Sequence, residues 1–447
     1  MHRACLFVSA LVLGLFAVPV SAAEPTFPLK DGDIWVMAGD SITAQHLHSN
    51  YFEAFCYARY PKIKFAFRNS GVGGHTIPST LARFDYDIGA WKPTVVSVEL
   101  GMNDSGGTST ENFVKNMGGM VERIKKANAR PIIFTASPVN DGTLSTKLSG
   151  RNQRLDEYAV ALKAFSAQEK LAYADQFHAC LDPWGKNKPK EKLAVTLNDL
   201  KLLAADDTIA GVEQLRAFLA AQEKNPIKGV NLQGDPVHPG APGQLMMAAA
   251  LLKALGADGF VSSVTIEGGK ADAKGCIVSS VKEENGGVSF DRLDETLPFP
   301  IPDDARIVLA IAPDVLALSQ YTLAVKGLKE GDYTLKIDAA ACGKFTAKQL
   351  ADGINLTSLP ALPATSKDVN PITAQMKNVL KAVSDKESLV SSWRGQSQKA
   401  HAKGADAKLM EDLALQTKKV EEADVKIREA AKPQKLHFEI VPAAASK

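Results

Sequence analysis

Ile34-Trp35-Val36-Met37-Ala38-Gly39-Asp40-Ser41 is the stretch on which the fold turns. Its first five residues form a short apolar run that stops at a glycine, the pattern of a buried strand. A serine follows at once, and the residues around Asn50 to Ala58 take up a helical pattern. A polar residue between a strand end and a helix sits at the carboxyl edge of a sheet, where α/β proteins build their sites. Backbone N–H groups at the start of the following helix favour negative charge developing beside them.

The same pattern repeats outward from this stretch. Lys64-Phe65-Ala66-Phe67 is apolar and ends at Arg68-Asn69; Thr94 to Leu100 is a second buried-strand run that ends at Gly101; Pro131 to Ala136 is a third. Between them, Asn112 to Asn128 and Arg154 to Lys170 read as amphipathic helices. This alternation predicts an α/β fold, a three-layer α/β/α sandwich with a parallel sheet. On that fold, Asn69-Ser70-Gly71-Val72-Gly73-Gly74 and Gly101-Met102-Asn103-Asp104 fall on loops after strands. Asp235-Pro236-Val237-His238 precedes a helix that starts near Pro242 and ends at Gly256.

Each of these pieces alone has a plain structural explanation. Gly-Asp-Ser is a turn, Asn-Asp after a strand is turn chemistry, Gly73-Gly74 gives the backbone freedom, and Asp-x-x-His before Pro239-Gly240 fits a loop with a helix cap. Together and in this order they supply every part that acyl transfer through a serine ester needs. Ser41 is the candidate nucleophile, His238 the base, and Asp235 the group that orients the base. Gly74 and Asn103 are candidate donors to an oxyanion. The pattern resembles the SGNH hydrolase superfamily, also called GDSL esterases and lipases, whose letters name the serine, glycine, asparagine and histidine. The resemblance runs from residue 34 to about 250, roughly half of the chain. It implies a flavodoxin-like sheet, an acid and a histidine on one loop, and an oxyanion held by the Ser41 N–H, the Gly74 N–H and the Asn103 amide. It implies no metal, and no Cys or His cluster here has zinc-ligand spacing, so no cofactor is expected. Asp40 and His75 adjoin the nucleophile and the oxyanion glycine and are the candidate substrate-facing residues. His46, His48 and His178 have no place in the pattern and read as polar surface residues. The G-x-S-x-G elbow of α/β-hydrolases finds no match.

Composition sets the remaining bounds. The chain has 447 residues, which points to two domains, and its 45% hydrophobic content is that of a globular protein. Residues 1–22 read as a secretory signal: Arg3 supplies the positive start, Cys5 to Val20 the apolar stretch, and Val20-Ser21-Ala22 a small-residue cleavage site. The run is short for a membrane span, and Pro19 interrupts it. The expected location is therefore periplasmic or extracellular, with no transmembrane segment in the mature chain. With 52 basic and 50 acidic residues the charge is nearly balanced, which gives no support to a nucleic-acid partner. Cys56, Cys180, Cys276 and Cys342 remain after the signal; export permits disulfides, and buried thiols serve equally.

The expected domains are a catalytic unit over 24–263 and a β-rich and helical unit over 264–447. Between Cys180 and Asn231 an insertion-like stretch carries two helical patterns, Pro189 to Leu203 and Asp206 to Lys224; in the family such segments form the wall beside the substrate. After Gly259, strand-like runs occur at Val261–Ile266, Cys276–Val281, Gly287–Asp291 and Ala305–Leu309, and the runs Tyr321–Lys326 and Asp332–Ile337 read as a hairpin. Two helical stretches follow, Thr373–Lys399 and Ala405–Ala431, the second with Lys and Glu on a solvated face. Leu436–Ile440 reads as a last strand. This half resembles, much more loosely, the extension of large exported bacterial GDSL-type proteins. Carbohydrate-binding module, packing accessory and active-site wall are its three candidate roles. Trp393-Arg394 is the one pair in it that suggests a ligand, and a tryptophan on an apolar helix face reads as core.

The expected activity is that of an exported serine esterase, with a small-molecule or polysaccharide ester as substrate and a carbohydrate O-acetyl ester as the first choice. The alternatives are a lipase or lysophospholipase-type acylhydrolase, and a non-catalytic binding module on the same scaffold.

Overall fold

The computed structural model describes residues 26–139, 148–185, 200–201, 204–205, 215–216, 219–220, 223, 235–359 and 370–443. The signal segment expected over 1–22 and nearly all of the two helical patterns expected before Asn231 lie outside the described residues.

Five parallel strands form the central sheet: β1 (Asp33–Gly39), β2 (Phe65–Gly71), β3 (Val95–Glu99), β4 (Arg130–Phe134) and β5 (Ala172–Ala174). Their order is β2-β1-β3-β4-β5, the flavodoxin-like order, with every pair parallel. The helices are α1 (Ser41–Ala44), α2 (His48–Arg59), α3 (Ile77–Ala82), α4 (Thr110–Lys126), α5 (Gly150–Gln168), α6 (Gln176–Gly185) and α7 (Ala241–Ala254). α2 packs on α7, and α7 on α6; α4 packs on α5. Alternate residues explain how the sheet holds α2. Trp35 on β1 meets Phe52 of α2 edge-on with ring centroids 5.3 Å apart, and stacks on Phe67 of β2 at 5.4 Å. The expected α/β sandwich is therefore present. Strand order reverses between β1 and β3, so the crevice at their carboxyl ends is the place where such a sheet takes a ligand.

One local expectation differs from the structure. β2 runs on through Asn69 and Ser70 to Gly71, in register with Met37, Ala38 and Gly39, so the Asn69 block begins inside a strand rather than after it. The helix expected around Asn50 to Ala58 is present as α2, and a separate short helix precedes it. One turn, Ser41–Ala44, is followed by a bend in which His46 has φ 57°, and α2 starts at His48.

The second half holds two further sheets, in orders β13-β10-β6-β7 and β12-β11-β14-β9-β8. Their strands are β6 (Phe260–Glu267), β7 (Lys270–Lys274), β8 (Cys276–Glu284), β9 (Gly287–Asp294), β10 (Gln320–Val325), β11 (Asp332–Ile337), β12 (Ala340–Thr346), β13 (Ile354–Asn355) and β14 (Lys435–Pro442). The hairpin expected between Tyr321 and Ile337 does not form. β10 pairs with β6 in parallel and with β13, while β11 pairs with β12 and β14, so the glycine-rich connection crosses from one sheet to the other. Turn residues fix where a chain bends, not which strand it then meets. The strand expected at Ala305–Leu309 is instead a 3-10 turn at Asp303–Ala305 and a short helix, α8 (Val308–Ile311). An apolar run this short has no period that separates a strand from a buried helical turn.

After α9 (Ala347–Asp352) come the two longest described helices, α10 (Pro371–Ala400) and α11 (Ala407–Ala430). Asn370 caps α10 by accepting from the Ile372 N–H, with Pro371 at the first helical position, and Asp406 caps α11. The two helices pack on each other and return to α2 and β2. Val379, Val383, Val390 and Trp393 join the buried core of the parallel sheet, as do Leu297, Phe299 and Val315. Phe290, Tyr321, Leu335 and Phe438 belong to a separate core between the two later sheets. The cores therefore do not divide at residue 263. The helical pair is an insertion between β13 and β14 that is built into the first unit. Trp393 is fully buried, stacked on Trp91 at 3.7 Å, with its indole N–H on Thr417 Oγ1; the core reading of this residue holds.

Candidate active site

Ser41 is the first residue of α1, and Asp40 caps that helix. Asp40 Oδ1 accepts from the Ile42 N–H at 2.9 Å. Two glycines let α1 lie directly on the strand ends. A Cβ on Gly39 would fall 1.9 Å from Thr43 Oγ1, and one on Gly71 would fall 2.4 Å from the Ala44 nitrogen. Asn69 then fastens the far end of α1. Its amide donates to the Thr43 carbonyl at 2.7 Å and to Ser49 Oγ at 2.9 Å, and its oxygen accepts from the Gly71 N–H.

His238 and Asp235 arrive on the loop before α7. Asp235 Oδ1 accepts from the Val237 N–H at 2.7 Å and the His238 N–H at 2.8 Å, which folds the loop into a tight turn around its own carboxylate. The other oxygen lies 2.8 Å from His238 Nδ1, and His238 Nε2 lies 2.7 Å from Ser41 Oγ. A carboxylate only accepts, so Nδ1 carries the hydrogen and Nε2 turns its lone pair to the serine hydroxyl. The hydrogen bond from the His238 N–H, first among several, holds the Asp235 carboxyl below its ordinary range, so it is charged when the imidazole needs it.

The remaining expected residues meet at the same edge. A Cβ on Gly73 would lie 3.9 Å from Ser41 Cβ, and Gly74 has φ 75°, a conformation that favours glycine. Asn103 Nδ2 donates to the His75 carbonyl at 3.1 Å, which ties the two loops together and leaves its second amide hydrogen to point elsewhere. Asp104 adds a second tie, accepting from the Ile77 N–H at 3.1 Å. Among the described residues the Ser41 and Gly74 backbone N–H groups have no acceptor. The arrangement thus offers a serine hydroxyl with its base and a set of open donors within one crevice.

His75 is partly exposed. Arg83 Nε donates to its Nδ1 at 3.1 Å, so this imidazole carries its hydrogen on Nε2, and burial followed by the Arg83 charge holds its pKa below the ordinary value. Asp40, in contrast, is 2% exposed. The carboxylate is committed to the cap and does not face substrate, which corrects the substrate-facing expectation for that residue.

Behind Asp40 lies a buried group that the sequence does not reveal. Glu99, the last residue of β3, is in register with Gly39, and its Oε2 lies 2.8 Å from His48 Nε2. His48 Nδ1 and its backbone N–H both reach Gln244 Oε1 at 3.0 Å, and Gln244 Nε2 donates to the Pro239 carbonyl at 3.1 Å. Burial alone would keep the His48 imidazole neutral; Glu99, Gln244 and Asp40 together outweigh it and raise its pKa. Burial and then Glu99 push Asp40 up to about 7. His48 is thus a buried link between β3 and the His238 loop, not a surface residue. His46 is mostly buried beside Glu387. His178 is half-exposed between Asp156 and Asp175, both at 2.7 Å, and fits the surface reading.

Residues 37–246 match the model of the GDSL-like lipase/acylhydrolase family. The SGNH resemblance read from the four motifs therefore holds. An acetylxylan esterase of Geobacillus stearothermophilus is 23% identical over 133 residues, which is 28% of this chain and 60% of that protein; the chain spans less than two thirds of that relative. A gut microbial diltiazem-metabolizing enzyme has the same fold with a TM-score of 0.68 at 22% identity, over 94% of this chain and 100% of that one. A solved acetylxylan esterase from Geobacillus stearothermophilus aligns with a TM-score of 0.36 at 19% identity, over 51% of this chain and 95% of that one. The first of these structures extends the fold likeness through the second half of the chain, where the motifs are silent.

Proposed function

We propose that the protein is a serine esterase that hydrolyses carboxylic esters through an acyl-enzyme, with Ser41, His238 and Asp235 as its catalytic residues. The observation that carries this reading is the unbroken chain from Ser41 Oγ through His238 Nε2 and Nδ1 to Asp235 Oδ2, at 2.7 and 2.8 Å. As Ser41 Oγ attacks the ester carbonyl carbon, His238 Nε2 takes the hydroxyl proton, and Asp235 stabilises the imidazolium. The Ser41 and Gly74 N–H groups and the Asn103 amide receive the negative charge on the carbonyl oxygen. The carbon–oxygen bond to the alcohol then breaks, and the leaving oxygen takes its proton from His238. A water molecule repeats the sequence on the acyl-enzyme, with His238 again the base, and frees the acid.

The substrate we favour is a carbohydrate O-acetyl ester, acted on outside the cytoplasm. Two observations support it: the named activity of the acetylxylan esterase relative, and the signal-like segment at 1–22. No helix among the described residues is long and apolar enough to cross a membrane. The test is a panel of acetylated xylan, acetylated pectin, short nitrophenyl esters and phospholipid. Acetate release from the polysaccharides is the expected result. Fatty acid release from phospholipid without acetate release would overturn the carbohydrate assignment and leave the serine mechanism standing.

A further inference from the structure

We propose that Arg394, far along the chain on α10, is a positioning residue for the loop that carries Gly74 and His75, an inference that rests on the esterase reading above. β2 is an edge strand, and its outer backbone groups have no strand to pair with. The helical pair takes that place with charged side chains. Arg428 donates to the Ile63 carbonyl at 3.0 Å and to the Phe65 carbonyl. Lys386 donates to the Phe67 carbonyl at 2.8 Å, and Glu387 accepts from the Asn69 N–H at 3.3 Å. Arg394 donates to the Asn69 carbonyl at 3.0 Å and closes the series, two residues before the strand ends.

Arg394 differs from the others in what its second arm holds. Its Nε donates to Asp87 Oδ1 at 2.8 Å, and Asp87 is 2% exposed. The other Asp87 oxygen accepts from Ser70 Oγ at 2.8 Å and from Arg83. Arg83 in turn donates to the Ser70 carbonyl at 2.8 Å, the Gly39 carbonyl at 3.3 Å and His75 Nδ1 at 3.1 Å. His75 finally accepts at its carbonyl from Asn103 Nδ2. From α10 to Asn103 the links are hydrogen bonds between buried or half-buried groups, joined through the covalent frame of His75 beside Gly74. Asp87 is shared by two guanidinium groups; with one gone, the other has the whole carboxylate and is drawn away from His75. Displacement of a positioned group by about 1 Å costs on the order of a hundredfold in turnover. The inserted helices thereby act on the reaction without touching substrate.

Arg394→Met keeps the apolar stem and removes both donors. Its expected effect is a fall in kcat of about tenfold or more with KM little changed, partial recovery in Arg394→Lys, and further recovery of kcat when guanidinium ion is added to Arg394→Ala. Side-chain nitrogen NMR of His75 gives a readout that needs no turnover. The wild-type ring is expected as the Nε2–H form with Nδ1 accepting, and that signature is expected to be lost in Arg394→Met. If His75 signals are unchanged in folded Arg394→Met, or if kcat is unchanged, the positioning role is wrong. Absence of hydrolysis in the wild-type protein would sink the esterase reading, and the NMR comparison would still decide this one.

Discussion

Asp40 shows how one side chain can serve a site without meeting substrate. It caps α1 and so fixes the backbone of Ser41, at the cost of burying a carboxyl group beside Glu99. Its pKa of about 7 in the fold, against an ordinary 3.8, means the native state holds the proton more tightly than the unfolded chain. Between about pH 4 and pH 7 the stabilisation from that held proton is lost as pH rises, and above 7 the buried charge is fully present. Asn is as good a cap as Asp and cannot ionise. Asp40→Asn is therefore expected to raise the melting temperature relative to wild type at pH 8 and to leave it nearly unchanged near pH 4. A difference that does not vary with pH would contradict this account of Asp40. Asn103 is held against the His75 carbonyl. Asn103→Ala is expected to lower kcat by about a hundredfold to a thousandfold with KM little changed, since the role proposed for its amide begins once charge develops. A change confined to KM would move it to ground-state binding. Ser41, Asn103, Asp235 and His238 were legible because each lies in a short run of turn residues beside an apolar run. Glu99, His48, Gln244 and Arg83 were not, because their partners are far off in sequence and no local spacing marks them.

At the scale of elements, α1 is a single turn pressed onto the ends of β1 and β2. Gly71 permits this contact, since a Cβ there would strike the backbone of Ala44, which cannot turn aside as a side chain can. Gly71→Ala is expected to cost about 1–3 kcal/mol in urea unfolding and to lower turnover with it, because the displaced element carries Ser41, the proposed nucleophile. Gly106→Ala, where a Cβ would meet nothing within 4 Å, is the control. Equal behaviour of the two variants would show that α1 is not seated by Gly71. The strands of the parallel sheet were readable because each is buried, apolar and ended by a polar or glycine residue. The later sheets were readable as strands but not as partners. Gln320 and Asp332 begin consecutive strands with a glycine-bounded connection, yet their pairing is set by burial of Tyr321, Leu335 and Phe438 in a shared core. That information lies in the packing of the two sheets and not in the connection.

Across the whole molecule, the helical pair is tied to the parallel-sheet unit by charges as well as by apolar packing. Lys386 is fully buried and bonds to Glu53 at 2.9 Å, to Glu387 and to the Phe67 carbonyl. Arg68 meets Asp424 of α11 with both arms, at 2.7 and 3.0 Å. Removing one partner of such a group leaves the others buried and unpaired. Lys386→Met is expected to lose about 3–5 kcal/mol of stability, with part restored when Glu53→Gln is added. Wild-type stability in Lys386→Met would show that the pair contributes nothing across this interface. The sequence marked these helices by their period, but a buried lysine and a solvated one look alike in a helical pattern.

The central claim is that Ser41 is a nucleophile activated by His238, and a fluorophosphonate probe tests it most directly, because the probe reports the activated serine whatever the natural ester is. The protein is treated with the probe, the adduct is measured by intact mass, and the modified peptide is sequenced. The account predicts one adduct per chain, on Ser41, absent in Ser41→Ala and nearly absent in folded His238→Ala. Folded wild-type protein that takes no label, or that takes it at another residue, would contradict it.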